Sequence, residues 1–183
     1  FSCINCKNRF GLFPLFFSFS FISFILLYFL TFDLTDALFF SVLQVFLYSI
    51  MKIDFDMMVI NIESVIFTSL LGVIYKLTKF NFDLYLLQDI ILGFIIGWSL
   101  IFTVSYLYYF IRKEQGFGSG DKWLLGALGL WFGYNNIVII FFGSCIFSTF
   151  YIFIMNLRSG ILMKKVPIGS FFCLTSLLYL FVL

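Results

Sequence analysis

The sequence of 183 residues has no histidine and little charge, because Asp, Glu, Lys and Arg together make up only 11% of the chain. Hydrophobic residues make up 63%, whereas an average soluble domain is about 45–50% apolar and about 25% charged. The chain therefore lacks the polar surface that a water-soluble globule needs. Intrinsic disorder is excluded too, because disordered segments combine low hydrophobicity with high charge. A membrane protein remains.

The absence of histidine also excludes several kinds of catalytic and metal-binding site. Catalytic triads, proton relays and metal sites that use imidazole are all ruled out. Any acid–base catalysis must use Asp, Glu, Lys, Tyr or Cys. The net charge of +2 is small and predicts no nucleic-acid partner.

Seven apolar stretches separated by polar segments are candidates for membrane-spanning helices, each of which needs about 20 apolar residues. They cover residues 12–32, 37–51, 57–75, 84–111, 123–132, 137–157 and 168–183. The fifth is short or re-entrant and precedes a turn at Gly133. We therefore predict an all-α polytopic membrane protein of about seven transmembrane helices. Residues 1–11 form a cytoplasmic segment, and residues 12–183 form the membrane-embedded domain.

The basic residues predict the orientation of these spans. With the N-terminus in the cytoplasm, nine of the eleven Lys and Arg residues fall in inner segments, and only Lys76 and Lys79 fall outside. Cytoplasmic loops carry such an excess of positive charge. The N-terminus is therefore predicted to be cytoplasmic.

Acidic residues at the edge of a bilayer are costly and usually mark pairing or function. Asp54 lies in a predicted charged break after the second span, and Asp121 opens a helix after a glycine-containing loop. Both are predicted at the cytoplasmic face. Glu63 is predicted about two turns into the third span, either packed as a hydrogen-bonded carboxyl group or functional. Asp89 is predicted to be interfacial.

Two carboxyl groups held close together cannot both ionise easily and share a proton. One can then activate water while the other protonates the carbonyl oxygen or the leaving amine. This chemistry needs no histidine and no metal. From position alone, however, Asp54 and Asp121 are also interpretable as solvated loop carboxylates, and periodicity does not show that they meet.

The residues around these two aspartates resemble a known family, the bacterial type IV prepilin peptidases. Residues 118–133, GSGDKWLLGALGLWFG, resemble its G-x-G-D-x-K-L-L-A-A-L-G-A-W-L-G region, with the lysine one place earlier at Lys122. Ile53-Asp54-Phe55-Asp56 resembles its I-D-x-D motif, 67 residues upstream of Asp121. Residues 166–171, VPIGSF, are similar to its I-P-F-G-P-Y motif.

The resemblance implies an aspartic endopeptidase of the bacterial cytoplasmic membrane. Such an enzyme removes the short basic leader of prepilins or competence pseudopilins after a glycine at the cytoplasmic face. Asp54 and Asp121 correspond to its catalytic pair, and Gly118 and Gly120 to the glycines of its motif loop. Proteolysis by this pair requires no cofactor. The oligomeric state is left open.

Three further acidic residues are expected near this pair. From position alone, Asp56, Glu63 and Glu114 are candidates for attracting a basic leader. The family usually has a proline after its first aspartate motif, but residues 59–63, VINIE, contain none. The local geometry there is therefore expected to differ.

Cys3 and Cys6 form a single C-x-x-C pair that resembles half of the family's cytoplasmic zinc site. Structural zinc needs four ligands. We expect the other pair in an N-terminal piece that is missing here. Loss of the metal, sharing between two chains, and a pair of free thiols remain alternatives. S-adenosylmethionine would be needed only for N-methylation of the product, for which no residues are assigned.

Another class of function fits the same acidic residues. A small transporter or membrane assembly subunit would use Asp54, Asp56 and Glu63 to line an ion path. An inactive fragment of the peptidase is a further alternative.

Overall fold

The computed structural model describes residues 22–26, 28, 33–79, 84–113, 116–159 and 166–182. All regular structure within these ranges is helical. The helices are α1 (Leu34–Met57), α2 (Ile62–Lys79), α3 (Leu84–Arg112), α4 (Ser119–Ser159) and α5 (Ile168–Leu180). Residues 22–26 and 28 are also helical. The predicted all-α class therefore holds for the described part of the chain.

The chain divides into two compact units, Phe1–Val45 and Phe46–Leu183. In the first, the hydroxyl group of Ser23 donates a hydrogen bond to the side-chain oxygen of Gln44, and Ala37 and Leu43 are fully buried. The second contains the end of α1 and all of α2 to α5. In it, α4 packs against α2, α3 and α5.

The number of membrane spans differs from the prediction. Among the described residues, three helices are long and apolar enough to cross a bilayer, namely α1, α3 and most of α4. The last helix, α5, is apolar but has only 13 residues. The composition and these helices identify a membrane protein, but the seven predicted spans are not confirmed. Most of residues 12–32 lie outside the described ranges.

The predicted charged break at residues 54–56 is wrong, because α1 continues through it to Met57. Met58 has a φ of 55° and its amide donates to the carbonyl oxygen of Asp54, which ends the helix. The next helix begins at Ile62, where the Asn61 side chain accepts a 3.0 Å hydrogen bond from the Glu63 amide, as a helix N-cap does. Glu63 is therefore exposed in the first turn of α2 rather than two turns inside a span.

Glycines allow α3 and α4 to approach closely. A side chain at Gly93 would overlap the carbonyl oxygen of Gly129, and one at Gly129 would overlap that of Gly93. One turn along α3, a side chain at Gly97 would strike the carbonyl oxygen of Leu125. Small residues at such spacing let helix backbones touch, which is a common way to pack helices in membranes.

A sharp kink replaces the predicted turn between the fifth and sixth spans. α4 runs from Ser119 to Ser159 and is broken only at Gly133, whose φ of 77° and ψ of 173° are non-helical. A residue with a side chain adopts such a conformation only under strain. The kink frees the amide of Tyr134, which donates a 3.2 Å hydrogen bond to Oδ1 of Asp89.

The other carboxyl oxygen of Asp89 forms an ion pair with Lys76. Lys76 was predicted in a loop, but it lies within α2 and is only 5% exposed. Nearby, the indole nitrogen of Trp131 donates a 2.7 Å hydrogen bond to the Thr68 carbonyl oxygen, and its ring stacks on Tyr75. The ion pair and the tryptophan together join α2, α3 and α4.

Replacing Asp89 by Ala should lower the free energy of unfolding by about 3 kcal/mol, since it leaves a buried lysine without its partner. This is the lower end of the range for a broken buried pair, because the Asp89 side chain is 25% exposed. Adding Lys76→Met should recover part of the loss, since it removes the unpaired charge. Unfolding of the purified variants in detergent measures both. A double variant less stable than Asp89→Ala alone would contradict the ion pair's role.

Candidate active site

Asp54 lies in the last turn of α1 and is 4% exposed. Its Oδ2 accepts two hydrogen bonds from Ser170 at the start of α5, at 2.6 Å from the amide nitrogen and at 2.9 Å from the hydroxyl oxygen. The hydroxyl oxygen also lies 3.1 Å from the carbonyl oxygen of Met51, so its single proton has two acceptors. These bonds compensate for burying a carboxyl group and join α1 to α5.

Asp121 lies in the first turn of α4 and is 7% exposed. Its Oδ2 accepts a 2.9 Å hydrogen bond from the Gly118 amide, and its own amide donates to the Gly118 carbonyl oxygen at 3.3 Å. The glycine loop therefore closes on the aspartate through two bonds. The helix dipole favours a carboxylate at this position. The prediction that Asp121 opens a helix is confirmed.

The two aspartates meet at Gly169. A Cβ atom at that glycine would lie 3.0 Å from Asp54 Oδ2 and 3.0 Å from Asp121 Oδ1. Because both oxygens lie 3.0 Å from the same Cβ position, the distance between them is at most twice 3.0 Å. The same Cβ atom would be 2.7 Å from Cδ1 of Ile60. The missing side chain is what leaves room for both carboxyl groups.

Packing on either side holds this arrangement. Phe55, Tyr151 and Phe171 form a cluster of three rings whose centroids are 5.4 to 6.2 Å apart, which joins the end of α1 and the second half of α4 to the first turn of α5. Beside Asp121, a side chain at Gly120 would come within 2.9 Å of Cβ of Ile60. Ile60 therefore lies against both the motif loop and Gly169.

Each carboxyl group keeps one oxygen available. Within the described residues, Asp54 Oδ1 and Asp121 Oδ1 accept no hydrogen bond, and no lysine or arginine pairs with either group. One oxygen of each aspartate is thus held by the protein and the other is free to bind water or a substrate. Such a pair can hold one proton between its members and act as acid and base together.

The other residues predicted from the sequence fall into three groups. Gly118 and Gly120 lie in or beside the loop before Asp121. Asp56 and Glu63 are exposed. Glu114, Cys3 and Cys6 lie outside the described residues, so their roles as leader contact and zinc ligands stay predictions. Among the described residues, no cluster of three or more His, Cys, Asp or Glu side chains could hold a metal ion.

Sequence reasoning missed the roles of Gly169, Ser170 and Ile60. The signal for the first two was a glycine and a hydroxyl residue directly after Pro167, which precedes α5. Pro favours a helix start, and the first turn of a helix has free amides that can donate to a carboxylate. The resembled family has proline where this chain has Ser170, and proline has neither donor.

Comparison with known proteins places the chain among leader peptidases. The model of the type IV leader peptidase family matches residues 41–153, a stretch that includes Asp54, Gly118, Gly120 and Asp121. A prepilin leader peptidase/N-methyltransferase of Neisseria gonorrhoeae is 27% identical over 119 residues, which cover 65% of this chain and 41% of that protein. The protein of the same name from Dichelobacter nodosus is 33% identical over 85 residues, or 46% of this chain and 29% of that protein.

A third relative of that name, from Pseudomonas putida, is 24% identical over 86 residues, or 46% of this chain and 30% of that protein. The chain thus spans less than half the length of these relatives. No solved structure matches it. The family resemblance inferred from the sequence motifs is confirmed.

Replacing Ser170 by Ala should lower the free energy of unfolding by about 1.5 kcal/mol or more, because a buried carboxyl group loses a hydrogen bond. Ser176 on the same helix offers a matched control. Its hydroxyl is buried without a partner in the described part of the chain. Ser176→Ala should therefore be neutral or stabilising. Equal losses in the two variants, measured by unfolding in detergent, would contradict the bond to Asp54.

Proposed function

Because the chain belongs to the type IV leader peptidase family, we propose that it removes the leader peptide of type IV prepilins or competence pseudopilins. Asp54 and Asp121 are the catalytic pair of this proposal. The cut falls after a glycine, at the cytoplasmic face of the bacterial cytoplasmic membrane. The approach of both carboxyl groups to one point at Gly169 supports this assignment most directly.

The proposed mechanism uses the two carboxyl groups that approach each other beside Gly169. One carboxylate takes a proton from a water molecule as that water attacks the scissile carbonyl carbon. The other carboxyl group, which carries the shared proton, hydrogen-bonds to the carbonyl oxygen and protonates the leaving amine as the C–N bond breaks. Both groups are nearly buried, so the charge that develops is poorly screened by water and the pair acts strongly on it.

The surroundings of the pair suit a substrate that is half apolar and half basic. The proposed leader is basic, and the segment that follows it is an apolar helix. Asp56 and Glu63 are exposed beside the ends of α1 and α2, where they attract a basic peptide. The apolar segment can lie against exposed hydrophobic side chains such as Phe55, Met57 and Val59.

Burial separates this proposal from an ion path. Asp54 is buried, whereas Asp56 and Glu63 are exposed and do not share its environment. Ionisable groups that line a path face the interior of the helix bundle or a water-filled cavity. The proteolytic reaction proposed here uses no cofactor. A structural zinc ion on Cys3 and Cys6, and N-methylation with S-adenosylmethionine, remain separate predictions.

Asp54→Asn and Asp121→Asn should each abolish leader removal, because an amide can neither take nor share the proton. Positioned acid–base groups contribute roughly a hundred- to ten-thousandfold each to a rate. Co-expression with a prepilin and a gel shift of leader size measures the effect. Asp33→Asn, a change of an exposed aspartate before α1, serves as the control and should process normally. Cleavage by either catalytic variant would refute the pair.

Gly169→Ala should leave the chain folded but slow cleavage by about a hundredfold or more. Displacing a catalytic group by about 1 Å lowers a reaction rate by about that factor. The new methyl group would push the two carboxyl groups or Ile60 away. Turnover of the purified variant, compared with Ser176→Ala on the same helix, tests this. A rate within a few fold of the unchanged chain would show that Gly169 does not set the geometry.

A further inference from the structure

A cavity with polar and apolar lining lies beside the motif loop and is not used by the aspartate pair. Its volume is about 270 Å³, and it lies between α3 and the chain that leads into α4. Helix α3 contributes Ser105, Tyr106 and Tyr109, and the other wall contains Phe117, Ser119 and Lys122.

Helix periodicity explains why these side chains converge. Residues three and four positions apart lie on one face of a helix, which brings Ser105, Tyr106 and Tyr109 together on α3. Ser119 and Lys122 are likewise three apart on α4. In the family pattern the lysine comes one position later, about 100° further round the helix. At its earlier position in this chain, Lys122 is one of the residues that line the cavity.

Among the described residues, the hydroxyl group of Ser105 has no hydrogen-bond partner and the ammonium group of Lys122 has no carboxylate partner. The Ser105 hydroxyl is buried with no hydrogen-bond partner in the described part of the chain. The Lys122 ammonium lies 5.4 Å from the ring centroid of Phe102, and among the described residues it pairs with no carboxylate. A buried hydroxyl without a partner is costly. Lys122 and Ser105 both belong to the lining of the cavity, and a lysine with an unpartnered hydroxyl group suits an anion with several acceptor oxygens.

The rim of the cavity belongs to an exposed and largely apolar surface. Tyr106 and Tyr109 are 60% and 56% exposed, and Phe110 and Ile111 beyond them are each 76% exposed. In a membrane protein such side chains face acyl chains, and tyrosines lie at the level of the lipid headgroups. Arg112 and Lys113, both exposed, follow at the end of α3. None of the described residues that line the cavity is acidic.

We propose that this cavity binds the phosphate headgroup of an anionic phospholipid, with Lys122 as the cation and the Ser105 hydroxyl as a hydrogen-bond donor. The acyl chains then lie along the exposed apolar side chains of α3. Basic pockets between membrane helices are known to recognise such headgroups. A soluble phosphate compound would not explain the apolar rim. The proposal does not depend on the peptidase activity.

Retention of lipid by the purified 183-residue chain tests it. The chain in maltoside detergent is titrated with phosphatidylglycerol or phosphatidylcholine, and bound lipid is counted by native mass spectrometry. We expect one phosphatidylglycerol per chain at concentrations where phosphatidylcholine is not retained. Lys122→Gln should weaken binding about tenfold, and Ser105→Ala about fivefold, from the usual strength of charged and neutral hydrogen bonds.

The matched control is Lys113→Gln, which removes one positive charge near the cavity without touching its wall. Its affinity should stay within about twofold, since exposed charges contribute little. Ser105→Ala keeps the test decisive if Lys122→Gln fails to fold. Equal retention by all three variants would overturn the proposal, because diffuse charge would then hold the lipid. Equal retention of phosphatidylcholine, or displacement by inorganic phosphate at matched concentration, would also overturn it.

Discussion

The absence of a side chain at Gly169 is the constraint on which the candidate site depends. Two buried carboxyl groups approach the position that a Cβ atom would occupy there, and Ile60 closes the third side. Burial of two acidic groups is unfavourable unless each is hydrogen-bonded. Ser170 supplies the bonds for Asp54, and the Gly118 amide supplies the bond for Asp121. One oxygen on each group remains for chemistry.

This arrangement joins three segments that are far apart in the chain. Asp54 ends one helix, Asp121 begins another, and Gly169 with Ser170 begins a third. Helix ends suit such a site, since their first amides are free to donate and their backbone is not enclosed by further turns. The aromatic cluster of Phe55, Tyr151 and Phe171 joins the end of α1 and the start of α5 to the second half of α4 without adding any charge near the carboxyl groups. Apolar packing therefore sets the position of the polar pair.

Further along α4, beyond Asp121, a second set of contacts holds the helix against its neighbours. On α4, Gly129 contacts Gly93 of α3 eight residues after Asp121, and the kink at Gly133 follows Asp121 by twelve residues, or ~18 Å of helix. The ion pair of Lys76 with Asp89 lies beside this kink. The glycine contact and the Tyr134–Asp89 hydrogen bond fix α4 against α3, and the ion pair joins α3 to α2. The start of α4 is held by the glycine loop and by the contact of Leu125 with Gly97 of α3, and the cavity at Lys122 lies beside this loop.

The composition and the motifs determined the class of protein, the family and the two candidate catalytic residues. An apolar chain without histidine specified a helical membrane protein and excluded imidazole as the catalytic acid or base, with carboxyl groups among the groups that remained. The order of the motifs specified the family, and Asp54 and Asp121 stood out within them. The helix boundaries were harder to predict from the sequence. Asp54 to Asp56 and Lys76 read as polar breaks, yet they are helical because tertiary partners satisfy Asp54 and Lys76. A hydropathy profile depends only on residue type, so it carries no information about the tertiary partners of a charged side chain.

Only the tertiary structure decided that the two aspartates meet, that Ser170 holds one of them, and that Gly169 makes the room. Each of these facts depends on a contact between residues more than forty positions apart, for which the local pattern of 3.6 residues per turn carries no information. The sequence by itself determined which groups were available. Long-range packing determined which of them came within reach of one another.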